Sequence, residues 1–294
     1  MKRVVVIGSS NIDLVYQVSR LPQLGETITG TGLKKLPGGK GLNQAVAASR
    51  VCNSVVFLGS FGNGSNRNFL NEALSKENIN LLYLKETATE TGTAIITLAN
   101  NDNTIVVIPG ANDDVDIEYI KQHEHLLTNS IVVIQNEIQQ ETNEYIIDYC
   151  YENDIPIIYN PAPARKISLN IIDKITYFTP NETEAALIFG TDDYEKIVSL
   201  YPRKVIITVG KDGAIYYDNE LINIKPLPTK VIDTTGAGDT LNGIFAASLY
   251  EDYSLKKSLE RAVAGATLSV QKMGAQAGMP RKEELVDEEK WNLE

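Results

Sequence analysis

Short β-branched runs recur along this chain, and the segments between them carry apolar residues at helical spacing. Arg3–Ile7 and Val55–Leu58 read as strands on either side of a helix over Leu42–Val51. From Ile131 the alternation is regular: strands at Ile131–Ile134, Pro156–Tyr159, Tyr177–Thr179 and Val205–Thr208, with helices over Glu141–Tyr151 and Glu182–Phe189 between them. That rhythm predicts βαβ units, hence an α/β fold with a mostly parallel central sheet flanked by helices. Two stretches break it. Leu14–Val18 with Glu26–Leu33, and Thr93–Leu98 with Thr104–Ile108, are β-prone with little helical signal between them. The second pair is joined by the turn-rich Ala99-Asn100-Asn101-Asp102-Asn103. These pieces predict hairpins outside the main sheet, either an extension of its edge or, the preferred reading, a small β lid over a cleft. The lid is drawn discontinuously from about residues 12–36 and 92–109, on a single α/β domain spanning 1–294, since no repeat or long linker divides the chain.

Ligands of an open parallel sheet bind beyond the carboxyl ends of its strands, so unusual polar residues should follow the apolar runs. They do: Gly8-Ser9-Ser10-Asn11-Ile12-Asp13, Gln135-Asn136-Glu137, Asn160-Pro161-Ala162-Pro163, Pro180-Asn181-Glu182-Thr183-Glu184 and Val209-Gly210-Lys211-Asp212-Gly213. Any one of these can be an ordinary turn or helix cap. Five at one edge of a sheet make a candidate site.

The segment Asp233-Thr234-Thr235-Gly236-Ala237-Gly238-Asp239-Thr240 runs into the apolar stretch from Leu241 to Leu249. Two glycines around an alanine let the backbone turn tightly into a helix whose first N–H groups are unpaired and attract negative charge. Asp239 on the same turn suits a base that takes a proton from an attacking hydroxyl, which suggests phosphoryl transfer to an alcohol. A helix start with a dipole-compensating Asp is the plainer alternative.

Leu36-Pro37-Gly38-Gly39-Lys40-Gly41-Leu42-Asn43-Gln44-Ala45 resembles a phosphate loop, but Gly41 stands where a Walker A loop needs the Ser or Thr that holds magnesium. Recognition of a polyhydroxyl compound fits better: Asn11, Asp13, Asn43 and Glu137 can donate to and accept from neighbouring hydroxyls. Asn181 with Glu184 is nearly a capping box; the same oxygens could also hold the water shell of Mg²⁺, and both roles can coexist.

Composition narrows the classes. The 294 residues, 43% hydrophobic and 22% charged, are those of an ordinary globular protein, and a net charge of -11 argues against a nucleic-acid partner. Cys52 and Cys150 have no metal-ligand spacing and read as buried free thiols, which suits a reducing cytoplasm. No run approaches the roughly 20 apolar residues of a membrane span. His123 and His125, at i and i+2 of a helix, are expected on different sides of it, as surface residues. Gly8-Ser9-Ser10-Asn11 after the first strand lacks the dinucleotide-binding glycine pattern, which disfavours a dehydrogenase.

Taken together, these segments resemble the ribokinase-like family of carbohydrate kinases. The resemblance runs nearly end to end, carried most specifically by Gly38 to Ala45, Asn160-Pro161-Ala162-Pro163-Ala164, Pro180 to Ala185, and Asp233 to Gly243. It implies an ATP-dependent kinase acting on the 5-hydroxyl of D-ribose. The same chemistry on deoxyribose, fructose or a nucleoside, and a non-catalytic sugar sensor of the same fold, are the alternatives. The resemblance further implies a sugar site of Asn11, Asp13, Gly39, Lys40, Asn43 and Glu137, with Asp239 as base and Gly236, Ala237 and Gly238 as anion-hole donors. Asn181, Thr208, Gly210, Lys211, Gly213 and Gly238 would meet the nucleotide, Asn181 and Glu184 the hydrated Mg²⁺. Asp233, with carbonyls of Thr235, Ser269, Lys272 and Gly274, would hold a K⁺ that orders the anion hole. A homodimer through the lid is implied as well. Two residues depart from the family pattern: Leu42 replaces Ala, with an expected effect on the sugar pocket, and Gly278 replaces a Ser near the cation site.

Overall fold

Runs of valine and isoleucine without polar alternation form strands that are covered on both faces. In the computed structural model, which describes residues 2–99 and 102–285, β1 (Arg3–Ile7) lies between β4 (Val55–Leu58) and β10 (Ser130–Gln135), parallel to both. β6 (Ile79–Asn80) continues the sheet beyond β4, and β11 (Ile157–Asn160) and β12 (Tyr177–Phe178) continue it beyond β10. The order is β6-β4-β1-β10-β11-β12, all parallel. Backbone bonds of 2.9 Å from Phe178 N–H to Lys204, Ile206 N–H to Phe178 and Thr208 N–H to Pro180 carry the ladder on to β13 (Ile207–Thr208). There it turns antiparallel through β14 (Ala214–Asp218) and β15 (Glu220–Ile224). A short parallel pair, β5 (Ser60–Gly62) and β7 (Lys85–Thr87), lies outside this sheet.

The two-residue period of β1 feeds two cores. Val4 and Val6 pack with residues of α1 (Lys40–Ser49), α2 (Ser65–Leu74), α8 (Ala237–Tyr250) and α9 (Leu255–Ser269). Val5 and Ile7 pack with α3 (Ile117–Leu127), α4 (Gln140–Glu152), α5 (Asn170–Lys174), α6 (Glu182–Phe189) and α7 (Tyr194–Leu200). Leu42 is fully buried in the first of these cores. Its departure from the family pattern therefore falls on a buried core residue of α1, adjacent in sequence to Asn43. Both cysteines are buried and free, and burial pushes the thiols of Cys52 and Cys150 up to about 11 and about 12. No helix among the described residues is long and apolar enough to cross a membrane.

The β-prone interruptions form one separate sheet of order β3-β2-β8-β9, from β2 (Asn11–Gln17), β3 (Gly32–Gly38), β8 (Gly92–Ala99) and β9 (Asp102–Ile108). β2 runs antiparallel to β3 and parallel to β8, which is antiparallel to β9. The strand expected at Glu26–Leu33 instead begins at Gly32. β2 ends at Gln17, so the partner strand can start only where the chain returns opposite it, with Gln17 pairing Gly32 and Thr31 N–H donating to the Gln17 carbonyl at 2.7 Å. Pro37 is tolerated because β3 is an edge strand.

Candidate active site

Gly236 takes a left-handed φ of +78° and turns the chain into α8; a Cβ there would stand 2.9 Å from Ala275, so glycine is required twice over. A helix start leaves its first N–H groups without intrahelical acceptors. The Thr234 carbonyl accepts from Ala237 N–H at 3.2 Å and the Gly236 carbonyl from Thr240 N–H at 2.8 Å. Of the three expected anion-hole donors, Ala237 N–H is thus spent on Thr234 because the turn closes there, while the Gly236 and Gly238 N–H groups, and with them that of Asp239, keep no protein acceptor among the described residues.

Asp239, 7% exposed, is held by two amides from α1. Asn43 Nδ2 donates to its Oδ2 at 3.0 Å and Gln44 Nε2 to its Oδ1 at 3.2 Å. Gly243, one turn further along α8, makes this possible. A Cβ at that position would lie 2.4 Å from the Gln44 carbonyl and 2.7 Å from Ala47 Cβ, so the two helices touch backbone to backbone. A chain of buried amides supports the carboxylate from below. Gln135 Nε2 donates to Gln44 Oε1 at 2.7 Å, Gln44 Nε2 also reaches Asn160 Oδ1 at 3.2 Å, and Asn160 Nδ2 donates to the Thr179 carbonyl at 3.1 Å. Thr179 Oγ1 donates to Asn242 Oδ1 at 2.7 Å, and Asn242 Nδ2 to the Gly238 carbonyl at 2.9 Å, which closes the chain on α8. Sequence reasoning placed Gln135 and Asn160 in the polar clusters and Gln44 in the glycine loop but gave none of them a role, and it passed over Thr179 and Asn242. Their signal was present: polar side chains at the very ends of otherwise apolar runs.

The polyhydroxyl residues gather beside Asp239. Gly39 at φ +90° brings its backbone against β2, where a Cβ would meet Asn11 N and Ser10 Cα at 2.8 Å. Glu137 Oε2 accepts from Lys40 N–H at 2.8 Å and from the Ser9 hydroxyl. Asn112 Nδ2 donates to Asn11 Oδ1 at 2.7 Å while its own Oδ1 accepts from Ser10 N–H at 2.8 Å. Burial, followed by the negative charges of Glu137 and Asp239, pushes Asp13 up to about 7, with Lys40 opposing. Burial alone would lower the pKa of Lys40, but Asp239, Glu137, Glu184 and Asp13 together hold it above its ordinary value. The charged residues named from distant parts of the sequence thus share one field.

Of the residues expected to meet a nucleotide, Asn181 and Thr208 face each other in a parallel bridge. Asn181 Oδ1 accepts from Glu184 N–H and Glu184 Oε2 from Asn181 N–H, both at 2.8 Å, so the capping box is real. Burial raises the pKa of Glu184, against the pull of the Asn181 N–H and Lys40. Val209 N–H to the Gly213 carbonyl, at 2.8 Å, closes the loop that carries Gly210 at φ +52° and Gly213 at φ +91°. Lys211 is exposed at its tip.

Asp233 ties two segments together just before the helix start at Gly236. Its Oδ1 accepts from Thr235 N–H at 2.9 Å and the Thr235 hydroxyl at 2.7 Å, its Oδ2 from Gly274 N–H at 2.7 Å. Burial raises the Asp233 carboxyl, but these three donors outweigh it and hold the group below its usual range. At Gly278 a Cβ would lie 1.9 Å from the Ser269 carbonyl, so the chain packs more tightly here than a serine would permit. Lys272 is exposed. His123 and His125 are neighbours of each other: their ring centroids are 6.3 Å apart and both pack edgewise on Tyr83. The expectation of different sides fails because both rings bend toward that one aromatic surface.

A parallel sheet with a buried carboxylate at an open helix start suits a phosphotransferase with an alcohol acceptor, and the comparisons give that class. The pfkB family carbohydrate kinase model matches residues 1–282, and the chain belongs to that family. It is 43% identical to a ribokinase of Lactococcus lactis subsp. lactis over 293 residues, covering 97% of this chain and 96% of the other. It is 42% identical to a ribokinase of Bacillus subtilis over 288 residues, covering 97% and 98%. Among solved structures it is similar to Arabidopsis thaliana ribokinase complexed with ribose and ATP, with a TM-score of 0.85, 28% identity and 99% of each chain covered.

Proposed function

We propose that this chain transfers the terminal phosphoryl group of ATP to the 5-hydroxyl of D-ribose, giving ribose 5-phosphate and ADP. The observation that carries the reading is Asp239, a buried carboxylate held by two neutral amides beside open N–H groups at a helix start. The bond from the sugar oxygen to the γ-phosphorus forms, the bond from that phosphorus to the bridging oxygen of ADP breaks, and the hydroxyl proton passes to Asp239. The amides of Gly238 and Asp239 oppose the charge on the transferring group. Asn11, Asp13, Gly39, Lys40, Asn43 and Glu137 hold the sugar; the ribokinase relatives and the ribose and ATP complex support that substrate.

Magnesium bound with the nucleotide supplies charge neutralisation on its phosphates. Asn181 and Glu184 fit contact through its water shell, since the capping box occupies Glu184 Oε2 and leaves Oε1 for a water. The ionised Asp233, with the carbonyls of Thr235, Ser269, Lys272 and Gly274 on the segments it joins, fits a dehydrated monovalent cation such as K⁺. Thr208, Gly210, Lys211 and Gly213 form the nucleotide's other edge. The sheet β3-β2-β8-β9 acts as the lid and joins two copies into a homodimer, and the buried thiols suit a cytoplasmic setting.

Asp239→Asn tests the reading. Turnover should fall by roughly 10²–10⁴ with sugar affinity nearly unchanged, measured by coupled ADP detection and sugar titration. Full turnover in that variant would refute the role of the base. Run with a panel of sugars, with and without K⁺, the same assay overturns the substrate if another acceptor is clearly preferred.

A further inference from the structure

An amide is polar end to end: its oxygen only accepts and its nitrogen only donates. Asn43 donates through Nδ2 to Asp239 Oδ2 at 3.0 Å, which commits Oδ1 to the opposite side. There Gln276 Nε2 donates to it at 2.9 Å. Gln276 is in turn fixed from behind. Its carbonyl accepts from Arg50 Nη1 at 2.6 Å, and the same nitrogen reaches the Met279 carbonyl at 2.8 Å. Arg50 Nη2 is paired with Glu77 Oε1 at 2.6 Å in a largely buried ion pair, and Arg50 is the C-cap of α1, the helix that presents Asn43 from its first turn. One helix thus holds both ends of a relay: Arg50 sets the Gln276 backbone and Asn43 receives its side chain.

We propose that Gln276 is a positioning residue for the catalytic base, acting by fixing the polarity of the Asn43 amide. The inference rests on the reading of Asp239 as base. With Gln276 donating, Asn43 shows Asp239 an N–H. Without that donor the Asn43 amide is ordered by the carboxylate alone, and each excursion that turns it over sets its oxygen against a carboxylate oxygen at hydrogen-bond distance, two acceptors with no proton between them. Such a contact favours the protonated carboxyl, which cannot accept the sugar's proton.

Two variants separate polarity from packing. Gln276→Leu removes the donor, whereas Gln276→Glu keeps the shape and puts an acceptor in its place. In steady-state kinetics with thermal melting as a control, the Leu variant should lose about threefold to tenfold in kcat, the value of one hydrogen bond. The Glu variant should lose more, with KM for ATP unchanged in both. A role in filling space predicts the reverse order, with Glu tolerated better than Leu, and that order overturns the proposal. So does a wild-type kcat in a folded Glu variant. Where the Glu variant does not fold, the Leu variant alone decides, by loss of kcat at constant KM for ATP or by wild-type kcat. Failure of the underlying reading is distinguishable: it shows as turnover retained in Asp239→Asn, whereas an inactive Asp239→Asn beside two wild-type Gln276 variants removes only the relay.

Discussion

Asp13 is a carboxylate that the fold holds against its own preference. It sits at the start of β2 where burial and the charges of Glu137 and Asp239 push it up to about 7 from the ordinary 3.8. At pH values below that ordinary figure the group is protonated in folded and unfolded chains alike and favours neither. As pH rises, the unfolded chain ionises first, so stability falls until the folded group ionises near pH 7 and the loss levels off. Asp13→Asn has no such charge. The variant should therefore melt above the parent at pH 8, with the gap closing toward pH 4, while its KM for the sugar rises through loss of an acceptor. Paired melting curves across that range check the sign, and a gap that ignores pH rejects the assigned cause. The identity of Asp13 as a polar residue after a strand was legible in the sequence. Its raised pKa was not, because the burial that chiefly causes it, and the charges of Glu137 just after β10 and of Asp239 on α8 that add to it, are brought about only by the fold.

At the scale of elements, the site depends on how closely α8 can approach α1. Gly243 sits where a methyl group would lie 2.4 Å from the Gln44 carbonyl, so Gly243→Ala must part the helices. Overpacking of this kind costs about 1–3 kcal/mol. Because Asn43 and Gln44 reach Asp239 across the same contact, the variant should lose kcat as well as melting temperature. A loss of stability with kcat intact would show that the base does not depend on that contact. The same element shows what the sequence could and could not tell. The Gly236-Ala237-Gly238-Asp239 turn was readable because a left-handed glycine, an open helix start and a carboxylate each leave a local mark. The parallel strands were readable because strands covered on both faces need β-branched runs. The strand at Gly32–Gly38 was not, since its limits follow from pairing with Asn11–Gln17 while Thr27, Ile28 and Thr29 only resemble a strand. Gln276 left no mark either: its meaning is a contact with Asn43, and no local pattern announces a partner on another element.

For the whole molecule, the second sheet has an edge that the proposed homodimer would cover. β9 is its edge strand, and Ile105, Val106, Val107 and Ile108 are between 45 and 61% exposed, a consecutive apolar run on an unpaired edge. An edge of that kind invites association with whatever strand it meets unless something covers it. Symmetric pairing of two such sheets would cover both β9 edges at once, while Pro37 guards the other edge at β3. Val106→Asp puts a charge in the middle of the run without touching the core of either chain. Light scattering at micromolar concentration should give twice the 32.3 kDa chain mass for the parent and the chain mass for the variant. Since β2 of the same sheet begins with Asn11 and carries Asp13, loosening the sheet should raise KM for the sugar more than KM for ATP. A parent that is monomeric at that concentration removes the dimer. A variant that stays dimeric moves the interface away from β9, and a variant that becomes monomeric with both KM values unchanged separates assembly from sugar binding.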